Sequence, residues 1–153
     1  MQVQEFLNNS SVSYDVLDHA PVFTAQQMAA IEHEPGKYVA KPVLVKVDGR
    51  HIMCVLAACC KIDLGSLKKQ LGAKKAELAD EKEIGEIFED CELGAEPPFG
   101  NLYNLPVIID KMLASDDHIV FQAGTHEQAI RLSMKDYKKL VEPSVMDFSY
   151  HMT

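Results

Sequence analysis

The chain lacks any apolar run approaching the ~20 residues that a membrane-spanning helix requires, and residues 1–13 are polar, without the pattern of a signal peptide. A cytoplasmic protein with no membrane partner is expected. Its four cysteines (Cys54, Cys59, Cys60 and Cys91) have no metal-site spacing, and the adjacent Cys59 and Cys60 suit neither a simple disulfide nor a zinc knuckle. Reduced, buried thiols are the expectation. Positive charge is also scarce, with 15 Lys and Arg against 23 Asp and Glu, a net charge of −8. That balance argues against broad binding along a nucleic-acid backbone, and so against DNA, while leaving room for gripping one end of a strand. The local basic groups, Lys68-Lys69 with Lys74-Lys75 and then Lys135, Lys138 and Lys139, read as solvated helix faces. There is no phosphate-loop lysine motif, no dinucleotide glycine fingerprint, no Gly-x-Ser-x-Gly elbow and no His-x-x-x-His spacing. Neither a metal nor a cofactor is expected.

What is present suffices for one domain over residues 1–153, with 47% apolar and 25% charged residues. Residues 2–8 predict a short helix with Val3, Phe6 and Leu7 on one side. Residues 14–17 predict a strand, and Thr24 with Gln27 predicts the capped start of a helix ending at Glu34-Pro35-Gly36. The clearest β signal is residues 39–47, then Asp48-Gly49, then residues 51–58, a hairpin on a two-residue turn. Alternation puts Lys41 on the face of Val43, Val45 and Val47, opposite Ile52, Cys54 and Leu56. A lysine opening an apolar row either snorkels from the strand's end or reaches a carboxylate or a ligand, because an unpaired buried charge is costly. Farther on, Asp63, Asp80 and Ser133 predict helix caps, with Gly72 as a stop. Residues 75–78, 105–110, 119–123 and 129–132 predict strands, and residues 145–150 an edge strand or tail. Short strands mixed with short helices indicate an α+β fold.

One loop stands apart. Leu93-Gly94-Ala95-Glu96-Pro97-Pro98-Phe99-Gly100-Asn101 carries two prolines that fix two φ angles and remove two donors, between glycines that permit unusual backbone or close approach. Two readings stand: a rigid connector with a buried Phe, or a stiff rim whose backbone N–H groups bind an oxygen. His19 and His126 lie in loops where a site could use them or water solvate them.

The lysine strand, the Pro-Pro loop and the late glycine turn, in this order, resemble the YbaK / prolyl-tRNA-synthetase-associated domain family, editing proteins that hydrolyse mischarged aminoacyl-tRNA. The resemblance runs through His19-Ala20-Pro21-Val22-Phe23-Thr24, Ala40-Lys41-Pro42-Val43-Leu44-Val45, Leu71-Gly72-Ala73-Lys74-Lys75, Gly94 to Gly100, Leu105 to Asp110, and Gly124-Thr125-His126. It implies an α+β domain with a central, mostly antiparallel or mixed, barrel-like sheet flanked by short helices. It implies hydrolysis of the ester of a small amino acid (Ala, Cys, Ser or Thr) at the 3′ acceptor end of tRNA, with an aminoacyl-tRNA synthetase as a candidate partner. By the same resemblance Lys41 is the catalytic residue, and Gly94, Pro98, Phe99, Gly100, Asp110, Gly124 and His126 form the substrate-binding set. Pro42 departs from the small or polar residue usual after that lysine. It predicts an edge or bulge in the strand, with Lys46 as the rival cation if Lys41 is displaced. Against an editing deacylase stand a non-catalytic module binding an amino acid, nucleotide or tRNA end, and a hydrolase of small esters.

Overall fold

Alternating apolar residues on both sides of Asp48-Gly49 set the frame for everything else. A computed structural model describes residues 2–19, 25–31 and 35–151. In chain order the elements are α1 (Val3–Asn9), β1 (Asp15–Asp18), α2 (Ala25–Ile31), β2 (Ala40–Val47), β3 (Arg50–Ala57), β4 (Cys60–Ile62), α3 (Leu64–Leu71) and β5 (Ala76–Leu78). They continue with α4 (Glu81–Ile87), β6 (Val107–Asp110), α5 (Lys111–Ala114), β7 (His118–Gln122), β8 (Gln128–Ser133), α6 (Met134–Val141), β9 (Ser144–Met146) and β10 (Ser149–His151). The Thr24 cap and the Glu34 end of α2 lie outside the described residues.

β2 and β3 pair antiparallel from Ala40↔Ala57 to Val47↔Arg50, so Lys41 faces Leu56, Val43 faces Cys54 and Val45 faces Ile52 as alternation predicts. Asp48 and Gly49 both have positive φ, +49° and +85°, which matches the right-handed twist of the strands they join. The Asp48 carboxylate accepts the N–H groups of Lys74 and Lys75 (3.0 and 2.9 Å), which ties the turn to the approach of β5. The five-stranded sheet runs β5-β2-β3-β6-β9, with β3–β6 and β6–β9 parallel and the other pairs antiparallel. A three-stranded sheet runs β1-β8-β7, a two-stranded one β10-β4, and a parallel bridge from Val39 to Val120 links β2's start to β7. The α+β class holds, and the pairing is mixed, within what the resemblance implies.

Pro42 sits at an edge, without a bulge. β5 covers β2 only at Val45–Val47. The Leu44 carbonyl accepts from Ala79 N–H on the β5 side (3.0 Å), so by alternation the Pro42 backbone also faces that side, beyond the end of β5. Its missing N–H breaks no bond to β3.

The helix caps form as predicted. Asp63 accepts from Ser66 N–H, Asp80 from Glu83 N–H and Ser133 from Asp136 N–H, and Gly72 ends α3 at φ +64°. The Pro-Pro loop divides in two. Phe99 is 0% exposed, with its ring 5.3 Å from those of Phe121 and Tyr137 and 6.0 Å from that of Phe6. Gly100 packs so tightly that a Cβ there would lie 2.6 Å from Val107 Cγ2. The second half of the loop is therefore core. Tyr137, fully buried, donates its hydroxyl to the Pro98 carbonyl (2.6 Å), which locks that half in place.

Asp110 also has a structural role. It is 1% exposed, and its carboxylate accepts from Met112 N–H (3.2 Å), Phe148 N–H (2.9 Å) and the Ser149 hydroxyl (2.7 Å), capping α5 and anchoring the chain before β10. Asp110→Ala would leave these donors without their acceptor and is expected to lower stability by about 1.5–3 kcal/mol. Urea unfolding checks this, and a loss under about 0.5 kcal/mol, the range of an ordinary surface change, would contradict it.

Candidate active site

The uncovered edge of β2 opens onto a cavity of about 370 Å³. Ala40 to Leu44 form one wall, Ala79 and Ile84 a second, Leu93, Gly94 and Glu96 a third, and Met28 and Gln122 also line it. Five consecutive strand residues can line one space because it runs along the strand's edge rather than across one face. Most of the lining residues are apolar. The polar side chains are Lys41, Glu81, Glu96 and Gln122.

Lys41 is half-buried and donates to the Cys60 carbonyl (2.5 Å). Burial holds its pKa below the ordinary lysine value of 10.5. Among the described residues it makes no ion pair. Lys46, the rival, is neutralised: it pairs with Glu83 (3.1 Å), which also holds His51 (2.6 Å). Glu83 spends its carboxylate on these two cations, which hold it below the usual carboxylate range. Of the two strand lysines, Lys46 has an acidic partner, whereas Lys41, its Nζ held on the Cys60 carbonyl, is the one in the cavity lining.

The facing rim is pinned from behind. Gly124, at φ +92°, donates its N–H to the Ala95 carbonyl (2.9 Å), and its own carbonyl accepts from Glu92 N–H (2.8 Å). His126, buried, donates from Nε2 to the Leu93 carbonyl (2.7 Å). Gly94, at φ +88°, gives its N–H to the Glu96 carboxylate (3.0 Å), and Ala95 gives its N–H to the Glu92 carbonyl (3.0 Å). Those two loop donors are thus used within the loop. Pro97 and Pro98 have none to offer.

The residues singled out from sequence therefore separate by place. Lys41 and Gly94 meet in the cavity. Gly124 and His126 stand behind its rim, while Pro98, Phe99, Gly100 and Asp110 belong to the packed interior and do not line it. His19 lies apart, in an acidic groove with Asp18, Glu92 and Glu127. Sequence reasoning missed two residues that line the cavity. Glu96 stood within the Pro-Pro loop, which was read for its backbone. Gln122 is a polar residue closing an otherwise apolar strand. Gln122 is 6% exposed, and among the described residues neither its Oε1 nor its Nε2 has a hydrogen-bond partner. A buried amide left so costs about 1–3 kcal/mol.

Three of the four thiols are poor nucleophiles. Burial pushes Cys54 and Cys91 up to about 12 and Cys60 above its ordinary value, which disfavours the thiolate. Cys54 and Cys60 are buried as expected, and Cys59 and Cys91 are partly exposed. A substrate that is already activated would need no such nucleophile.

The profile of the aminoacyl-tRNA editing domain family matches residues 19–140. The chain belongs to that family. It is 29% identical over 147 residues to the multifunctional Ser/Thr-tRNA deacylase ProXp-y of Escherichia coli K12, covering 93% of this chain and 87% of that one. It is 28% identical over 142 residues to the prolyl-tRNA editing protein ProX of Acetoanaerobium sticklandii, covering 89% and 86%. In fold it is similar to the hypothetical protein APE2540 (TM-score 0.88, 20% identity, 98% and 100% covered). It is also similar to a protein solved as a candidate trans-editing enzyme for prolyl tRNA synthetase (TM-score 0.83, 20% identity, 97% and 94% covered). The aminoacyl-tRNA editing family resemblance read from the sequence is thus borne out, and with it the reaction class, hydrolysis of an aminoacyl-tRNA ester.

The Lys41 environment gives a direct check on this editing-domain site. Among the described residues Lys41 is the one basic residue of the cavity lining, and it loses its charge as pH rises through a value below 10.5. Lysine side-chain NMR resolved by a Lys41→Arg control should show the Lys41 midpoint below 10.5, and a midpoint at or above it would contradict the buried placement.

Proposed function

We propose that this chain acts in trans, in the cytoplasm, removing small polar amino acids, serine or threonine, from the 3′ acceptor end of non-cognate tRNA. The observation that carries this reading is that Lys41, which has no ion-pair partner among the described residues, and Glu96 both line one small cavity. An aminoacyl ester presents a carbonyl oxygen and an ammonium two bonds from its carbonyl carbon. Lys41 takes the carbonyl oxygen and Glu96 the ammonium, which fixes the ester's direction. A water adds to the carbonyl carbon and its proton passes to solvent or to the neighbouring ribose hydroxyl. The negative charge that grows on the carbonyl oxygen is met by Lys41 in a partly dry setting, where a fixed cation is worth more than in water. The ester C–O bond then breaks, the ribose oxygen recovers a proton, and the free amino acid leaves.

The size of the cavity suits a small side chain. Apolar walls alone discriminate one methylene by only about 1–3 kcal/mol, so selection against larger residues rests on the fixed rim. The relatives' names favour the hydroxyl-bearing amino acids, since one is a Ser/Thr-tRNA deacylase. With a net charge of −8, the chain itself offers little general affinity for a tRNA body. A synthetase that has the tRNA in hand is the partner that would supply it.

A panel of tRNAs charged with Ser, Thr, Ala, Cys or the cognate amino acid tests this. Release of Ser or Thr is expected, and Lys41→Ala should cut it by about 100-fold or more with an unchanged circular dichroism spectrum. Intact esters across the whole panel would instead indicate a binding module.

A further inference from the structure

α4 is a lightly anchored wall of the cavity, to whose lining it contributes Glu81 and Ile84. It is seven residues long and none of them is fully buried, and so short a helix does not hold its place by its own backbone bonds. Ile84 and Ile87 are half-buried against the core. A void of about 30 Å³ lies among Ile84, Phe88, Leu44 and Met53, so packing between the helix and the hairpin is incomplete there. The side chain that ties α4 to the hairpin is Glu83. One carboxylate oxygen accepts from Lys46 Nζ (3.1 Å) and the other meets His51 Nε2 (2.6 Å). Lys46 and His51 are cross-strand partners, so one carboxylate holds both β2 and β3. They stand on the face of Leu44 and Met53, the two strand residues that share the void with Ile84. All three side chains are partly shielded, at 24–32% exposure, and form a network rather than a lone surface pair. Among the described residues no other side chain of α4 hydrogen-bonds to another element.

We propose that Glu83 is a positioning residue that fixes the α4 wall on the hairpin and so bars larger aminoacyl side chains from the cavity. The inference rests on the deacylase reading above. The Leu93–Glu96 rim is pinned by backbone bonds, but a rigid rim excludes a larger group only if the other walls hold as well. α4 is the wall whose place depends on one carboxylate. Glu83 is not itself in the cavity lining, and its effect passes through Ile84, the next residue, which is. Lys46 thereby gains a role without touching the substrate: it is one arm of the clasp.

The test compares Ser and Leu carried by the same tRNA. Wild type should show a kcat/KM ratio favouring Ser by at least about 100-fold. Glu83→Ala should shrink that ratio by about 10-fold or more, through a gain in turnover of Leu relative to Ser. Amide hydrogen exchange should quicken in α4 and stay unchanged at Met53–Leu56 of β3, which separates a loosened wall from a general loss of stability. Lys46→Met added to Glu83→Ala should move the ratio no further, since Lys46 acts through Glu83. An unmoved ratio in Glu83→Ala, or an equal fall for both esters, would overturn the proposal. Should Glu83→Ala not fold, Glu83→Gln, which keeps the volume and removes the charge, is measured in the same way, and an unmoved ratio there overturns it. If the wild type hydrolyses neither ester, the deacylase reading itself fails, whereas hydrolysis with an unmoved ratio sinks the role of Glu83 alone.

Discussion

The register between β2 and β3 is the constraint on which the site depends. A slip of one residue would exchange the faces of β2 and turn the whole row of Lys41, Val43 and Val45 to the side of the sheet where Pro42 and Leu44 now lie. It would also move Lys46 from its partner Glu83. The register is held at one end by the Asp48-Gly49 turn, and at the other by the bond from Ala58 N–H to the Val39 carbonyl (2.8 Å) and the Val39–Val120 bridge. Between them the pairs Val43–Cys54 and Val45–Ile52 bury apolar surface that the other register would misplace.

The opposite wall is held by a different kind of force. Short backbone bonds from Gly124, a bond from His126 and the anchoring of Phe99 in its aromatic cluster fix a rim that makes few contacts of its own. The rim therefore needs little ordering when a substrate arrives, which is the benefit of preorganisation. Pro42 follows the same economy. It leaves the covered strand pairing untouched and takes one donor away from the cavity wall.

What could be read from the sequence was local. Asp-Gly flanked by alternating residues specified the hairpin, and Asp63, Asp80 and Ser133 specified helix starts through a side chain acting within three residues. Lys41 was visible because a cation in an apolar row is a local conflict. The rest depended on partners far along the chain. Nothing near Val107–Asp110 announces that it pairs parallel to both β3 and β9. Phe99 and Gly100 lay in a stretch that read equally as a rim or as core, and only the arrival of Phe6, Phe121 and Tyr137 decided for core. Gln122 gave a weak signal, one polar residue after three apolar ones in β7, and only the structure shows its amide buried without a partner among the described residues.

The account stands on the uncovered edge of β2 and the Leu93–Glu96 rim enclosing the reacting ester between them. A crystal structure of the protein with a 3′-seryl amide analogue of adenosine measures this directly. The account predicts the seryl group between Ala40–Leu44 and Leu93–Glu96, its carbonyl oxygen on Lys41. The analogue seated elsewhere, as in the acidic groove of Asp18 and Glu127, with the β2 cavity left empty, would contradict it.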